Sequence, residues 1–178
     1  VSDEPTYDEA QFGVAREKVV SWYDPSAIAA LAPTMGGRHF IEAIQTGLFP
    51  APPIAKLMGF SIDEVGDGRV VFRCAPDESL YNPIGLVHGG LVCTLADTVI
   101  GCSVHTLLDA GVGYTSIDLS VNYLRPVRAD SGALVATGVV TKPGRRVAFA
   151  SAEIVDGSGH VVATGSGSVL IMDFRPAT

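Results

Sequence analysis

Residues 81–108 read YNPIGLVHGGLVCTLADTVIGCSVHTLL and constrain the fold more than any other stretch. Asn82-Pro83-Ile84-Gly85 has turn chemistry. His88-Gly89-Gly90 then leads into a long apolar run with one charged side chain, Asp97. A helix that is apolar on nearly every face has to be wrapped by other structure. A single carboxylate inside it is costly unless it is hydrogen-bonded or used. Leu91 to Leu108 has the length of a membrane span. Thr94, Asp97, Ser103, His105 and Thr106 interrupt it, and a bilayer penalises such residues, so no membrane contact is expected.

The rest of the chain reads as the wrapping. Leu57–Val65 and Arg69–Ala75 read as strands joined by Gly66-Asp67-Gly68, a hairpin signal, with Ile54–Met58 able to open as a helical turn. Gly111-Val112-Gly113 ends the helical region. Four strands follow: Tyr114–Arg125, Ala133–Thr141, Arg146–Val155 and Val161–Met172, separated by turns at 129–132, 142–145 and 156–159. In the first of them, alternation places Ile117, Leu119, Val121 and Tyr123 on one face. In the last, Ala163, Gly165 and Gly167 permit close packing. Short turns make antiparallel neighbours. The expected fold class is α+β, an antiparallel sheet wrapped around one long central helix.

Two segments are expected: a helical N-terminal extension and linker over 1–53, and the sheet domain over 54–178. Within the extension, Tyr7–Leu31 has weak helical spacing that Pro25 breaks into two short helices. Residues 35–38 read as a loop, and His39–Gly47 as a helix ended by Gly47. Pro50, Pro52 and Pro53 read as an extended linker. The extension carries no motif chemistry and reads as a packing appendage, with cover for a pocket left open as a second role.

Composition removes several functions. With 47% hydrophobic and 17% charged residues among 178, the chain is not disordered. A net charge of −7 excludes wholesale nucleic-acid binding, so an anionic ligand needs a local basic cluster. Cys74, Cys93 and Cys102 lack CxxC spacing and read as buried small hydrophobes in a reducing compartment. The first fifteen residues are acidic and polar, without a secretory pattern. A cytoplasmic protein is expected.

The chemistry gathers in the central stretch. Free N–H groups at a helix start attract negative charge, so Gly89 and Gly90 are either an oxyanion hole or simply a tight helix entry. Asp97 is either a general base or nucleophile, or a structural carboxylate capping a neighbouring backbone. His88 either orients a partner or bonds backbone, and Asn82 either donates its amide to a carbonyl or serves the turn. His105 reads as a core histidine. No cluster has metal-ligand spacing, and no GxSxG elbow is present. Gly89 and Asp97 stand eight residues apart, or about 12 Å along one helix. They cannot both touch one carbonyl, which needs contacts of about 3 Å. If both act, one comes from each of two subunits, which predicts a dimer with two equivalent sites.

Asn82-Pro83-Ile84-Gly85, His88-Gly89-Gly90, Asp97, Ser116-Ile117-Asp118-Leu119, Asn122-Tyr123-Leu124-Arg125-Pro126 and Gly144-Arg145-Arg146 together resemble the PaaI-like branch of the hotdog-fold acyl-CoA thioesterases. The resemblance covers about two-thirds of the chain, from Ile54 to Met172, and the 40–60 segment looks like a lead-in of some members. It implies hydrolysis of an acyl-CoA to a carboxylic acid and coenzyme A. Asp97 would activate water or attack the thioester carbon. The Gly89 N–H would polarise the carbonyl with help from Asn82, His88 would hold that arrangement, and Ser116 would position the water. The site would lie between the subunits of a homodimer, with dimers pairing into homotetramers in many members. No cofactor is implied, since coenzyme A is part of the substrate. Arg145 and Arg146 beside Gly144, with Arg125 and Arg128, are the candidates for its phosphates, Arg being suited to them; a solvated hairpin turn is the bland alternative. Two other readings of the same scaffold are a hotdog hydratase or dehydratase and a non-catalytic acyl-CoA-binding protein. The acid nine residues after His88 favours the thioesterase pattern over the hydratase.

Overall fold

The computed structural model describes residues 8–174. The N-terminal segment starts with a 3₁₀ turn at Glu9–Phe12, capped by the Asp8 carboxylate. An irregular stretch follows, strapped to the sheet domain by ion pairs from Arg16 to Glu78 and from Lys18 to Asp77. Three short helices come next: α1 (Pro25–Ala29), α2 (Gly37–Gln45) and α3 (Pro53–Met58).

Several expected boundaries move here. Tyr7 lies outside the described residues, and only one α-helix forms between it and Leu31. Pro25 starts that helix instead of breaking one, because proline lacks the N–H that a first helical residue cannot use anyway. Gly37 and Arg38 belong to α2, not to a loop. Gly37 packs flush on the end of the central helix, where a Cβ would fall 1.9 Å from the His105 carbonyl oxygen. Pro53 likewise opens α3 instead of closing an extended linker, so the first strand begins at Phe60, not Leu57.

The sheet domain consists of β1 (Phe60–Gly66), β2 (Arg69–Cys74), α4 (Gly89–His105), β3 (Val112–Tyr123), β4 (Leu134–Lys142), β5 (Val147–Val155) and β6 (Val161–Asp173). The strands form one sheet in the order β1-β2-β4-β5-β6-β3, with every neighbouring pair antiparallel. α4 lies across it and packs against β2 through β6. Leu95, Ala96 and Val99 have no exposed surface. The helix comes this close because Gly138 lacks a side chain: a Cβ there would sit 2.1 Å from the Val99 carbonyl oxygen. This is the expected sheet around one helix, the hotdog arrangement. No helix among the described residues is long and apolar enough to cross a membrane.

β3 forms one end of the sheet, and only its β6 side is paired. Its register slips between Ser116 and Asp118, leaving Ile117 without a partner. Such a bulge reverses which residues face the helix. Tyr114 and Ser116 face α4 before it, and Leu119, Val121 and Tyr123 after it. Ile117 therefore leaves the face that alternation assigned to it and is 55% exposed.

Candidate active site

The chain enters α4 through a tightly determined turn. Asn82 Oδ1 accepts the N–H groups of Ile84 and Leu86, both at 3.1 Å. Its oxygen being spent in this way, the side-chain NH₂ has no acceptor among the described residues. His88 is the N-cap of α4, its Nδ1 accepting the Gly90 N–H at 2.8 Å. A neutral His88 thus carries its proton on Nε2. The Leu91 N–H goes to the His88 carbonyl at 3.0 Å. The Gly89 N–H has no acceptor among the described residues, and it stands at the positive end of a 17-residue helix. A groove of about 470 Å³ opens here, lined by Asn82, His88, Gly89, Tyr123 and Arg125.

Tyr123 lines this groove although sequence reasoning gave it no role, only a place in an alternating strand and in the Asn122–Pro126 motif. The hydroxyl donates to the Gly89 carbonyl at 3.1 Å and lies 2.9 Å from Cys93 Sγ. The Cys93 contact, followed by burial, pushes the phenol up to about 12. A Cβ on Gly89 would lie 3.1 Å from the tyrosine ring, so glycine and ring fit each other. Cys93 is half-exposed beside Tyr123, not buried as expected. Of the other thiols, Cys74 is buried as expected and Cys102 is half-buried on the side of α4; burial pushes Cys74 up to about 11 and Cys102 up to about 12.

Asp97 lies two turns further along α4 and is exposed. Ser116 Oγ donates to its Oδ1 at 2.7 Å. The Tyr114 ring lies over Gly101, where a Cβ would come within 2.6 Å of it. Burial raises the Tyr114 phenol well above its ordinary value, and the Asp97 charge reaches both Tyr114 and Cys102 and adds to their shifts. α4 is continuous from Gly89 to Asp97, so within one chain the two remain about 12 Å apart.

The basic candidates separate into two places. Arg125 is in the groove with Gly89, its guanidinium donating to the Val161 carbonyl at 2.7 Å. Gly144, Arg145 and Arg146 line a second groove of about 460 Å³ at the far end of α4, with Leu107 and Leu108. Among the described residues none of these arginines is in an ion pair. His105 sits between the Phe40 and Tyr114 rings, with centroids 5.7 and 5.3 Å away, and burial pushes its pKa down. Among the described residues no group of three or more His, Cys, Asp or Glu is placed to hold a metal ion.

Residues 84–163 match the thioesterase superfamily. A putative esterase of Halobacterium salinarum is 35% identical over 126 residues, covering 65% of this chain and 82% of that protein. The chain belongs to the thioesterase superfamily. Human acyl-coenzyme A thioesterase 13 is 32% identical to it over 101 residues, 55% of this chain and 69% of the human one. The Escherichia coli PaaI protein shares the hotdog fold, with a TM-score of 0.68 at 22% identity over 78% of this chain and 97% of PaaI. This thioesterase is a thioester hydrolase. The matched span contains Gly89, Asp97, Ser116, Arg125, Arg145 and Arg146, while Asn82 and the N-terminal helices precede it.

Proposed function

We propose that this thioesterase hydrolyses acyl-CoA thioesters at a site shared by two copies of the chain. The carrying observation is the exposed Asp97 carboxylate, held by Ser116, on the same continuous helix as the free Gly89 N–H. Asp97 as base takes a proton from water, whose oxygen attacks the thioester carbon. As nucleophile, it attacks that carbon itself and water opens the resulting anhydride. In both routes the carbonyl becomes an oxyanion, the C–S bond breaks, and coenzyme A leaves as a thiolate that picks up a proton. The Gly89 N–H and the Asn82 NH₂ meet the oxyanion, donors worth about a hundredfold or more each. His88 is a positioning residue that fixes the first turn, with one ring nitrogen already committed to Gly90.

The 12 Å between Gly89 and Asp97 supports a homodimer, and so does the unpaired edge of β3 with Ile117, Tyr123 and Leu124 exposed along it. A two-fold pairing that brings each Asp97 to the other chain's Gly89 runs the two α4 helices antiparallel. The far end of one helix, with Arg145 and Arg146, then falls beside the start of its partner. Both arginines and Arg125 thereby come to one site for the phosphates of coenzyme A, with Gly144 shaping the turn that carries them. The similarity to human acyl-coenzyme A thioesterase 13 supports the substrate class. A panel of acyl-CoA thioesters tests the reading: free acid and coenzyme A should form, and Asp97→Ala should lose at least about a hundredfold in kcat. Wild-type rates in the variant, or no turnover of any acyl-CoA, would sink it.

A further inference from the structure

The N-terminal helices do not merely lie on the sheet domain. Between them and α4 is an apolar cavity of about 320 Å³, with walls from all four helices and from β1, β2 and β3. Phe40 and Ile44 of α2, Ala55 of α3 and Phe72 of β2 make much of the lining. The α4 wall is Thr98, Cys102 and His105, one side of the helix. Every ionisable group there is held neutral: burial pushes the Cys102 thiol up to about 12, raises the Tyr114 phenol and lowers His105. A charged ligand group would be desolvated in this cavity without a partner.

Asp97 does not line the cavity, but its charge reaches two residues that do, Cys102 and Tyr114. Thr98 is the next residue of α4, and Tyr114 lines the cavity from the same face of β3 as Ser116, which bonds Asp97. Two residues along a strand span about 7 Å. We infer that this cavity takes the far, uncharged hydrocarbon end of the acyl chain, so that the N-terminal helices set chain-length preference. The inference rests on the thioesterase reading above and names the substrate class for it. An apolar cavity of about 150 Å³ holds a benzene ring, so this one has room for a hydrocarbon of about a dozen carbons. Walls without a charge select a methyl or aryl terminus over a carboxylate.

The test is kcat/KM for straight-chain acyl-CoA thioesters from acetyl to octadecanoyl. Each added methylene should raise it about fourfold until the cavity is full, the equivalent of about 0.8 kcal/mol per buried methylene. Ala55→Leu should lower the decanoyl-to-butyryl ratio at least about tenfold by filling the cavity, and Phe40→Ala should move the optimum to longer chains. A comparison that needs no variant is dodecanoyl-CoA against its ω-carboxyl analogue, expected to be slower by about a hundredfold. A flat profile, an acetyl optimum, or equal rates for the methyl- and carboxyl-ended chains would overturn the cavity assignment and leave the thioesterase reading standing. Absence of hydrolysis at every length would overturn that reading itself, and this inference with it.

Discussion

Ser116 Oγ donates to Asp97 Oδ1 at 2.7 Å, across the joint between β3 and α4. The bond fixes one carboxylate oxygen and leaves the other available on the exposed face of the helix. Ser116 points there only because of the bulge at Ile117, which reverses the strand's alternation. Removing the hydroxyl should loosen the carboxylate without removing it. Ser116→Ala is therefore expected to lose about tenfold in kcat with little change in KM, and Asp97→Asn at least about a hundredfold. Equal losses in the two variants would assign Ser116 a larger role than positioning.

Gly89 is the first residue of α4, a position where proline is well tolerated because the N–H has no intrahelical acceptor. His88 already has the extended backbone, with ψ 133°, that precedes proline. Gly89→Pro thus deletes the proposed oxyanion donor while keeping the helix. Its kcat should fall by about a hundred- to a thousandfold, with the helical circular dichroism retained. The Tyr123 ring has to give by a few tenths of an ångström to admit the new Cβ.

A shared site makes a sharper forecast for mixed dimers. Gly89→Pro and Asp97→Asn homodimers should each be nearly inactive. Co-expressed, they form heterodimers in which one site combines an intact Gly89 with an intact Asp97. Activity should recover to a sizeable fraction of wild type in steady-state assays. Failure to recover, with heterodimers verified by mass, would show that the two groups do not act together across the subunits.

Gly138 tests the packing that holds α4 in place. An added Cβ meets the Val99 backbone oxygen at 2.1 Å, and neither a rotamer change nor a small shift of one side chain relieves it. Gly138→Ala should cost about 3 kcal/mol or more in urea unfolding, above the usual overpacking range.

His105 gives the chain a pH dependence of stability. Burial lowers its pKa in the folded chain below the ordinary 6.5. As pH falls through that ordinary value, the unfolded chain gains a proton that the folded chain refuses. Its contribution is present above pH 6.5 and is lost as pH drops toward the lower folded value. Between pH 7 and pH 5 the melting temperature should fall more steeply in wild type than in His105→Gln. Parallel slopes would show that His105 does not contribute.

The sequence by itself determined the central helix, the strands around it and the distance that separates Gly89 from Asp97 along one chain. Apolar periodicity, turn residues and helical rise are local properties, and they survive without knowledge of the neighbours. Tertiary structure decided the rest. The order of the strands places β3 at the edge, although four strands in succession looked like simple neighbours. The bulge at Ile117 aims Ser116 and Tyr123 at the same helix, which no count by twos can reveal. The cavity behind Tyr114 exists because helices before the matched segment fold back over α4, a contact between residues such as Phe40 and His105 that are remote in sequence. Spacing along a chain reports what one element does with itself; which surfaces meet depends on packing free energy summed over all of them.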